Sequence, residues 1–380
     1  MVSAKVRTRW LVQGLGMVLL LSPVAVGQSA AAEALELERE GKYAEAATAW
    51  RGVVQAEPHN ALAWANLGLA LAKSQDYPGA IAAYQKAAAI NPKLPALQLN
   101  LGLAEFKQQN LAAAIAPLRA ALAADPNNMQ ARTLLGLSYY GTSHFAEAVE
   151  NLRVASQADP GNAELHKVLA QSCLSAKKYP CALEEFKALL EQDPNSAAVH
   201  MLTGEALDGM GQTPEALEEF RVAAKVDPKA PNVQFGLGYL YWKSHQYEEA
   251  RAAFEAELAI DPSQAQALEY LGDIELQNGN SEKAMELLQR AVSLNDTLRL
   301  AYVDIGVILS EQKKHPEALA ALQRAEKLDP NQPDVHYRLG RLYQVMGRTA
   351  DAEKEMARVK ELHEKDEEDL ARKMAGAKPQ

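Results

Sequence analysis

The residues of this sequence whose types could support chemistry are two cysteines, eight histidines and one octet rich in aromatic side chains. Cys173 and Cys181 are the only cysteines, and their spacing is not the Cys-x-x-Cys of redox catalysts. The octet FGLGYLYW, from Phe235 to Trp242, places four aromatic residues around two glycines. By itself the octet is compatible with a phosphate-binding loop, an aromatic wall for a ligand, or ordinary core.

The composition favours closely packed helices and argues against a nucleic-acid partner. Hydrophobic residues make up 48% of the chain, and alanine accounts for much of that content. Aromatic residues make up only 6%. Alanine favours helices, whereas strands favour β-branched and aromatic residues. The formal net charge is −10, and the body of the chain has no block of basic residues. Binding to phosphates needs clustered lysine and arginine, so we expect no nucleic acid to bind.

The N-terminus has the layout of a secretory signal. Basic residues come first, then an apolar run, then Pro23 and a stretch of small residues. We therefore expect a signal peptide at residues 1–27, cleaved after Gly27 or Ala30, and export to the periplasm or the extracellular space. The alternative is an uncleaved inner-membrane anchor formed by residues 10–27, although this run is short for a span of about 20 residues. Only that alternative would give the protein a membrane contact.

One constant period, equal to the step from Pro58 to Pro92, organises the rest of the chain. Two apolar-periodic stretches fill each period, separated by polar breakers and closed by a proline-containing turn, which predicts two helices per period. The prolines in phase are Pro58, Pro92, Pro126, Pro160, Pro194, Pro228, Pro262 and Pro330. A second phase holds Gly68, Gly102, Gly136, Gly204, Gly238, Gly272, Gly306 and Gly340. Glycine inside a helix costs about 1 kcal/mol relative to alanine, so its recurrence predicts a close approach of the paired helices, with the glycine facing the alanine slot.

Residues 61–94 resemble a tetratricopeptide repeat. The matching positions are Trp64, Leu67, Gly68, Ala80, Tyr84, Ala87 and Pro92. The resemblance covers about ten repeats, from residue 27 to residue 366. It implies an all-α fold, a right-handed superhelical solenoid of about ten 34-residue helix-turn-helix repeats. The expected divisions are a degenerate first repeat at 28–60, nine repeats at 61–366, and a charged C-terminal cap or tail at 367–380.

The same resemblance implies a protein or peptide partner, held on the concave side by the first helix of each repeat. The expected contact residues in the first half are Leu62, Asn66, Leu69, Leu99, Asn100, Leu103, Phe106, Leu137 and Tyr140. In the seventh repeat they are Phe235, Tyr239 and Trp242, followed in the eighth by Glu269 and Asp273. Asn66 and Asn100 resemble the start of an asparagine ladder, whose amides match a peptide main chain. The alternative is that superhelical winding buries these side chains against their own chain.

The remaining candidates give a disulfide and no metal centre. Antiparallel helices could bring Cys173 and Cys181 within bonding reach, and export would favour their oxidation; the alternative is two unpaired thiols. His166 and His200 share a phase, but equivalent residues of stacked repeats lie about 8–10 Å apart, too far to share a zinc ion. We therefore expect no metal, no cofactor and no enzymatic activity.

The function expected from the sequence is that of an exported protein-interaction scaffold. The alternative is an accessory subunit of an envelope-biogenesis or glycan-transfer machinery whose catalyst is a separate protein. Within this frame the octet lies inside a helix, so it is not a phosphate loop. Gly238 occupies the recurrent glycine slot, whereas Gly236 stays unexplained because the repeat pattern gives no neighbour that requires it.

Overall fold

The computed structural model describes residues 23–374, with side chains at 30–369, 371 and 372. Across this range the chain forms 20 α-helices and no strand, and within each of two compact units consecutive helices pack against each other. This confirms the all-α class and the helix-turn-helix unit. Residues 1–22 of the expected signal peptide and 375–380 of the expected tail lie outside the described residues.

The chain divides into two compact units, residues 1–176 and residues 177–380. The described helices of the first unit are α1 (Pro23–Arg39), α2 (Tyr43–Ala56), α3 (Ala61–Lys73), α4 (Tyr77–Ile90), α5 (Leu97–Lys107), α6 (Leu111–Ala124), α7 (Met129–Gly141), α8 (Phe145–Ala158) and α9 (Ala163–Ser175). Those of the second unit are α10 (Tyr179–Gln192), α11 (Ala197–Gly209), α12 (Thr213–Val226), α13 (Val233–Lys243), α14 (Tyr247–Ile260), α15 (Ala265–Gln277), α16 (Ser281–Leu294), α17 (Arg299–Glu311), α18 (His315–Leu328), α19 (Pro333–Val345) and α20 (Thr349–Met374).

The turn inside each helix pair is marked by one residue with positive φ. These residues recur once per repeat, and they are Gly41, Gln75, Gln109, Ser143, Lys177, Gly211, His245, Gly279, Lys313 and Gly347. The left-handed conformation reverses the chain after the first helix, and only glycine adopts it without steric cost. Six of the ten positions hold another residue type, so the pairing of the helices imposes this conformation on them.

The proline-containing turn between pairs is held by its own side chains. The Asp125 carboxylate accepts the backbone N–H of Asn127 at 3.1 Å, and the same contact recurs at the equivalent turns. A side chain at one fixed position of the next first helix donates to the carbonyl of the turn proline. Trp64 does so to Pro58 at 2.9 Å, and other donors fill the slot in later repeats. These bonds fix where each new pair begins.

The recurrent glycine lies against a large side chain from the second helix of its own pair. A Cβ at Gly68 would come within 2.6 Å of the Tyr84 ring, and one at Gly204 within 2.6 Å of the Phe220 ring. The expectation that the glycine faces mainly the alanine slot is therefore wrong. The alanine contributes only a backbone oxygen at the edge of this contact, for example Ala216 at 3.2 Å from the Cβ position of Gly204.

The last helix is longer than any other second helix. Helix α20 has 26 residues where the other second helices have 14, so residues 367–374 of the expected tail continue it. Leu362 is buried on its inner side, while most of the following described residues are exposed and charged. Among the described helices none has both the length and the apolar character needed to span a membrane.

Candidate binding surface

The first helices of successive repeats form one continuous face within each unit. In the first unit α3 contacts α5, α5 contacts α7, and α7 contacts α9. In the second unit α13 contacts α15, α15 contacts α17, and α17 contacts α19. Second helices of successive repeats make no comparable contacts in the described part of the chain. The first helices therefore lie on the concave side of each unit. Their side chains that point away from the second helices form the concave surface, which we call the inner surface.

In the first unit this surface contains a groove that we call the leucine groove, defined by Leu69, Asn100 and Leu103. These three residues line one cavity of about 360 Å³, together with Tyr77 and Tyr84. All three defining side chains are half-buried. The structure thus brings together three of the expected contact residues, from two adjacent first helices, and adds the two tyrosines from α4.

The other expected residues of the first unit have mixed surroundings. Leu62 is 59% exposed, whereas Leu99 and Phe106 pack against the core between α6 and α7. The Tyr140 hydroxyl donates to the Gln171 side chain at 2.8 Å, which links two successive repeats. The side chains of the remaining two positions are half-buried, and these positions are Asn66 and Leu137. Part of the expected contact set therefore also serves the packing of the repeats.

In the second unit the three expected aromatic residues pack around a fourth, Tyr270. The ring centroid of Tyr270 lies 4.8 Å from that of Trp242, 5.8 Å from Tyr239 and 6.1 Å from Phe235. We call these four residues the aromatic cluster; each is half-buried. Sequence reasoning missed Tyr270, although it lies one repeat after Gly236, in the slot that Asn66 and Asn100 occupy earlier. Following that repeat position through every repeat of the sequence would have identified Tyr270 as a candidate.

Gly236, unexplained by the repeat pattern, is required by a contact with the preceding repeat. A Cβ at this position would overlap the ring of Phe220 on α12. The same ring packs on Gly204 from its other side. Phe220 is therefore held between two glycines of successive first helices. The statement that no neighbour needs a glycine at this position is wrong, because the neighbour belongs to the preceding helix pair rather than to the pair that contains Gly236.

Three acidic side chains are buried on α15 and α17, near the aromatic cluster. The Glu269 carboxylate accepts the backbone N–H of Ala301 at 2.9 Å, near the start of α17. The Asp273 carboxylate accepts the indole N–H of Trp242 at 2.6 Å. Asp304 occupies the slot of Tyr270 in the next repeat, and its Oδ2 is buried without a hydrogen-bond partner. Burial raises the pKa of Glu269, and it raises that of Asp304 well above the usual value for an aspartate.

The two cysteines and His336 are buried in the structure. Cys173 and Cys181 are both buried, and neither is a free thiol, as the expected disulfide requires. The ring of His336 is bonded at both nitrogens, at 2.6 Å to Glu355 and at 2.9 Å to the carbonyl of Pro330. Possible metal-ligand atoms of Glu326, His336 and Glu355 lie within 4.8 Å of one another. The sequence analysis did not find this group, because it asked only whether two histidines could share a zinc ion.

Comparison with protein families identifies the repeat. One tetratricopeptide repeat family model matches residues 31–95, 92–129, 201–265 and 235–297, and a second matches residues 139–206 and 309–376. The chain belongs to the tetratricopeptide repeat family. These matches span most of the helix pairs in both units, so the resemblance seen in the sequence is confirmed. A search of curated proteins found no match to this tetratricopeptide protein.

One solved structure shows the same fold, and a second is similar over less of the chain. A tetratricopeptide repeat protein from Parabacteroides merdae is 19% identical, with a TM-score of 0.51, over 65% of this chain and 97% of its own. MamA from Desulfovibrio magneticus, residues 41 to the end, is 20% identical with a TM-score of 0.40, over 44% of this chain and 95% of its own. At this level of identity the first similarity shows the fold alone, and the second covers less than half of the tetratricopeptide chain.

Proposed function

We propose that this tetratricopeptide protein is an interaction scaffold that binds a segment of a partner protein along its first-helix face. The leucine groove carries this proposal, because it joins apolar side chains and an amide in one cavity of about 360 Å³. Apolar surface that stays partly open on a folded protein is typical of an interaction site. The scaffold acts by burying side chains of its partner and performs no chemical step.

The groove offers two kinds of contact to an extended or helical segment. Leu69 and Leu103 present methyl groups, and burying an aliphatic side chain of the partner against them is worth about 1.5–3 kcal/mol. Asn100 lines the same cavity, in the slot of the asparagine ladder, and can both donate to and accept from a peptide main chain. Lys107 and Gln130 line the same cavity and supply a polar margin. The arrangement fits an apolar anchor flanked by main-chain hydrogen bonds.

We further propose that the protein is exported. The basic and apolar start of the sequence supports this, and so does the burial of both cysteines without a free thiol. Cleavage after Gly27 or Ala30 would fall within α1 but would keep Ala34, which is fully buried against the second helix. N-terminal sequencing of protein purified from the source cells tests this proposal. A chain that still begins at Met1 would overturn cleavage.

We expect substitution of three groove residues to abolish partner capture. The variant carries Leu69→Gln, Asn100→Ala and Leu103→Gln, which keep helix-forming residues while removing side chains that line the groove. Wild-type protein and this triple variant are used as bait under identical conditions, and the bound proteins are compared. Loss of one defined partner is the expected result, because the groove residues supply its apolar anchor. A partner retained equally by both baits would place the contact elsewhere on the chain.

A further inference from the structure

Three side chains that can bind a metal ion meet at the last described helix pair of the second unit. Glu326 lies on α18, His336 on α19 and Glu355 on α20, and one ligand atom of each lies within 4.8 Å of those of the other two. All three residues line one cavity of about 380 Å³. The group therefore has open space beside it, enough for an ion and for a water molecule that completes its coordination.

Hydrogen bonds orient the ring of His336 as they do in many metal-binding sites. Its Nε2 lies 2.9 Å from the carbonyl oxygen of Pro330, which can only accept, so Nε2 carries a proton. Its Nδ1 lies 2.6 Å from a carboxylate oxygen of Glu355. A histidine that binds a metal through one nitrogen typically donates the other N–H to a backbone carbonyl or a carboxylate. Nδ1 is therefore the nitrogen available to an ion, and it faces a carboxylate.

Glu326 has no other role in the hydrogen-bonding of the protein. Its side chain is half-buried and forms no hydrogen bond or ion pair with any residue that the structure describes. One of its carboxylate oxygens nevertheless lies within 4.8 Å of an oxygen of Glu355. Two carboxylates this close repel each other, and a cation that contacts both removes the repulsion.

An earlier repeat contains the same arrangement without the third ligand. His200 lies 2.6 Å from Glu219 through Nδ1 and 3.1 Å from the carbonyl of Pro194 through Nε2. The residue in the slot of Glu326 is Leu190 there, and this slot holds a small or apolar residue in every earlier repeat. The histidine–glutamate pair thus forms where it has only two members, so the packing of the repeat does not require Glu326.

The charges of the cavity favour a cation only modestly. Its lining includes three glutamates, against one lysine and one arginine, Lys354 and Arg358. Arg358 is already engaged, at 2.8 Å by Glu361 and at 3.1 Å by the side-chain oxygen of Asn331. Lys354 is exposed. The carboxylates of Glu326 and Glu355 are therefore free of any arginine contact.

We propose that Glu326, His336 and Glu355, which we call the glutamate–histidine site, bind a divalent transition-metal ion, for which zinc is the probe. Imidazole nitrogen suits zinc, whereas magnesium and calcium prefer oxygen ligands alone. Three protein ligands leave the fourth position of a tetrahedral zinc ion open to water. The ion replaces the proton on Nδ1. Two tetrahedral zinc ligands lie about 3.4 Å apart, so the Glu355 carboxylate moves by less than about 1 Å. This departs from the expectation, drawn from the sequence, that the chain holds no metal.

Such an ion would connect successive repeats. It joins α18, the second helix of one pair, to both α19 and α20 of the next. In a repeat array each unit is stabilised mainly by its neighbours, and a metal bound only by the folded state adds its binding free energy to folding. The inference goes beyond the proposed function and does not depend on it, because the leucine groove lies in the other unit.

Calorimetric titration of the full-length chain with zinc chloride tests the site. The protein carries no affinity tag and is first stripped with a chelator. We expect wild type to bind zinc saturably and Glu326→Gln to raise the Kd at least tenfold. Glu317→Gln, which removes an exposed charge from the same helix, should stay within twofold of wild type. Equal Kd values for wild type and Glu326→Gln, equal weakening in both variants, or no saturable binding by wild type would each overturn the proposal.

Hydrogen exchange measured with and without zinc locates the ion. We expect zinc to raise protection in α18, α19 and α20, and to leave α10, α11 and α12 around His200 unchanged. In Glu326→Gln the gain should be lost, while exchange without zinc should match wild type, because Glu326 has no partner among the described residues. An equal gain around His200 would show that a histidine–glutamate pair is sufficient and would overturn the role of Glu326.

Discussion

Gly204→Leu is expected to unfold its helix pair locally and to lower the free energy of unfolding by about 3 kcal/mol or more, at the upper end of the range for overpacked cores. The Cβ alone would come within 2.6 Å of the Phe220 ring and 3.2 Å of the Ala216 carbonyl oxygen. The ring cannot move away freely, because Gly236 packs against its other edge. Hydrogen exchange measured by mass spectrometry is expected to show lost protection in α11 and α12.

The matched control is Gly52→Leu. Gly52 also lies inside a helix, α2, but a Cβ there would meet nothing within 4 Å. The same substitution should be neutral or slightly stabilising at that position, since leucine is the better helix former by about 1 kcal/mol. Because each repeat contacts mainly its neighbours, α3 and α4 should keep their protection in both variants. Gly204→Leu protein as stable as wild type would contradict the account of the glycine slot.

Asp304→Asn is expected to stabilise the second unit at neutral pH. Burial, with the charges of Asp273 and Glu269, raises the pKa of Asp304 in the folded state above that of the unfolded chain. A raised carboxyl pKa gives stability that is complete below the unfolded-state value of about 3.9 and is lost as the pH rises through the folded-state value. Each pKa unit of that rise corresponds to about 1.4 kcal/mol, and the asparagine variant does not suffer this loss.

Urea denaturation at several pH values measures this effect. The gain of Asp304→Asn over wild type should be largest at pH 7 and should shrink as the pH falls toward 4. Hydrogen exchange of α17 peptides reports the same change locally, which matters because repeat arrays need not unfold in one step. Glu317→Gln, which removes an exposed charge, should change stability by less than about 0.5 kcal/mol. An Asp304→Asn protein less stable than wild type at pH 7 would show that the ionised carboxylate has a stabilising partner.

The repeat organisation could be predicted because each of its features depends on interactions within one repeat. The proline turn, the glycine slot and the helix periodicity depend on residues within one repeat, so a single sequence displays them several times over. The ten left-handed residues within the helix pairs were harder to predict. Only four of them are glycine, and side chains such as Gln75 and Lys313 give no sign of a positive φ.

Features that depend on contacts between repeats could not be predicted from the repeat pattern of the sequence. Gly236 is needed because of Phe220 in the preceding repeat, and the pattern had pointed only to the partner within its own pair. The octet's aromatic residues were expected to face the groove, yet Tyr270 of the next repeat covers part of them. Asp304 was not singled out from the sequence, and its burial accompanies the contact between α15 and α17. In each case the missing information was how closely the helices of successive repeats approach.

The central claim, that the leucine groove binds the partner, is tested most directly by the affinity of the captured partner for three proteins. These are wild type, the groove triple variant Leu69→Gln, Asn100→Ala and Leu103→Gln, and a control triple variant. The control changes Ile90, Met129 and Val154 to glutamine; all three are large exposed apolar residues of the same unit outside the groove. We predict at least a tenfold higher Kd for the groove variant and a control within twofold of wild type. Equal Kd values for the two triple variants would contradict the claim.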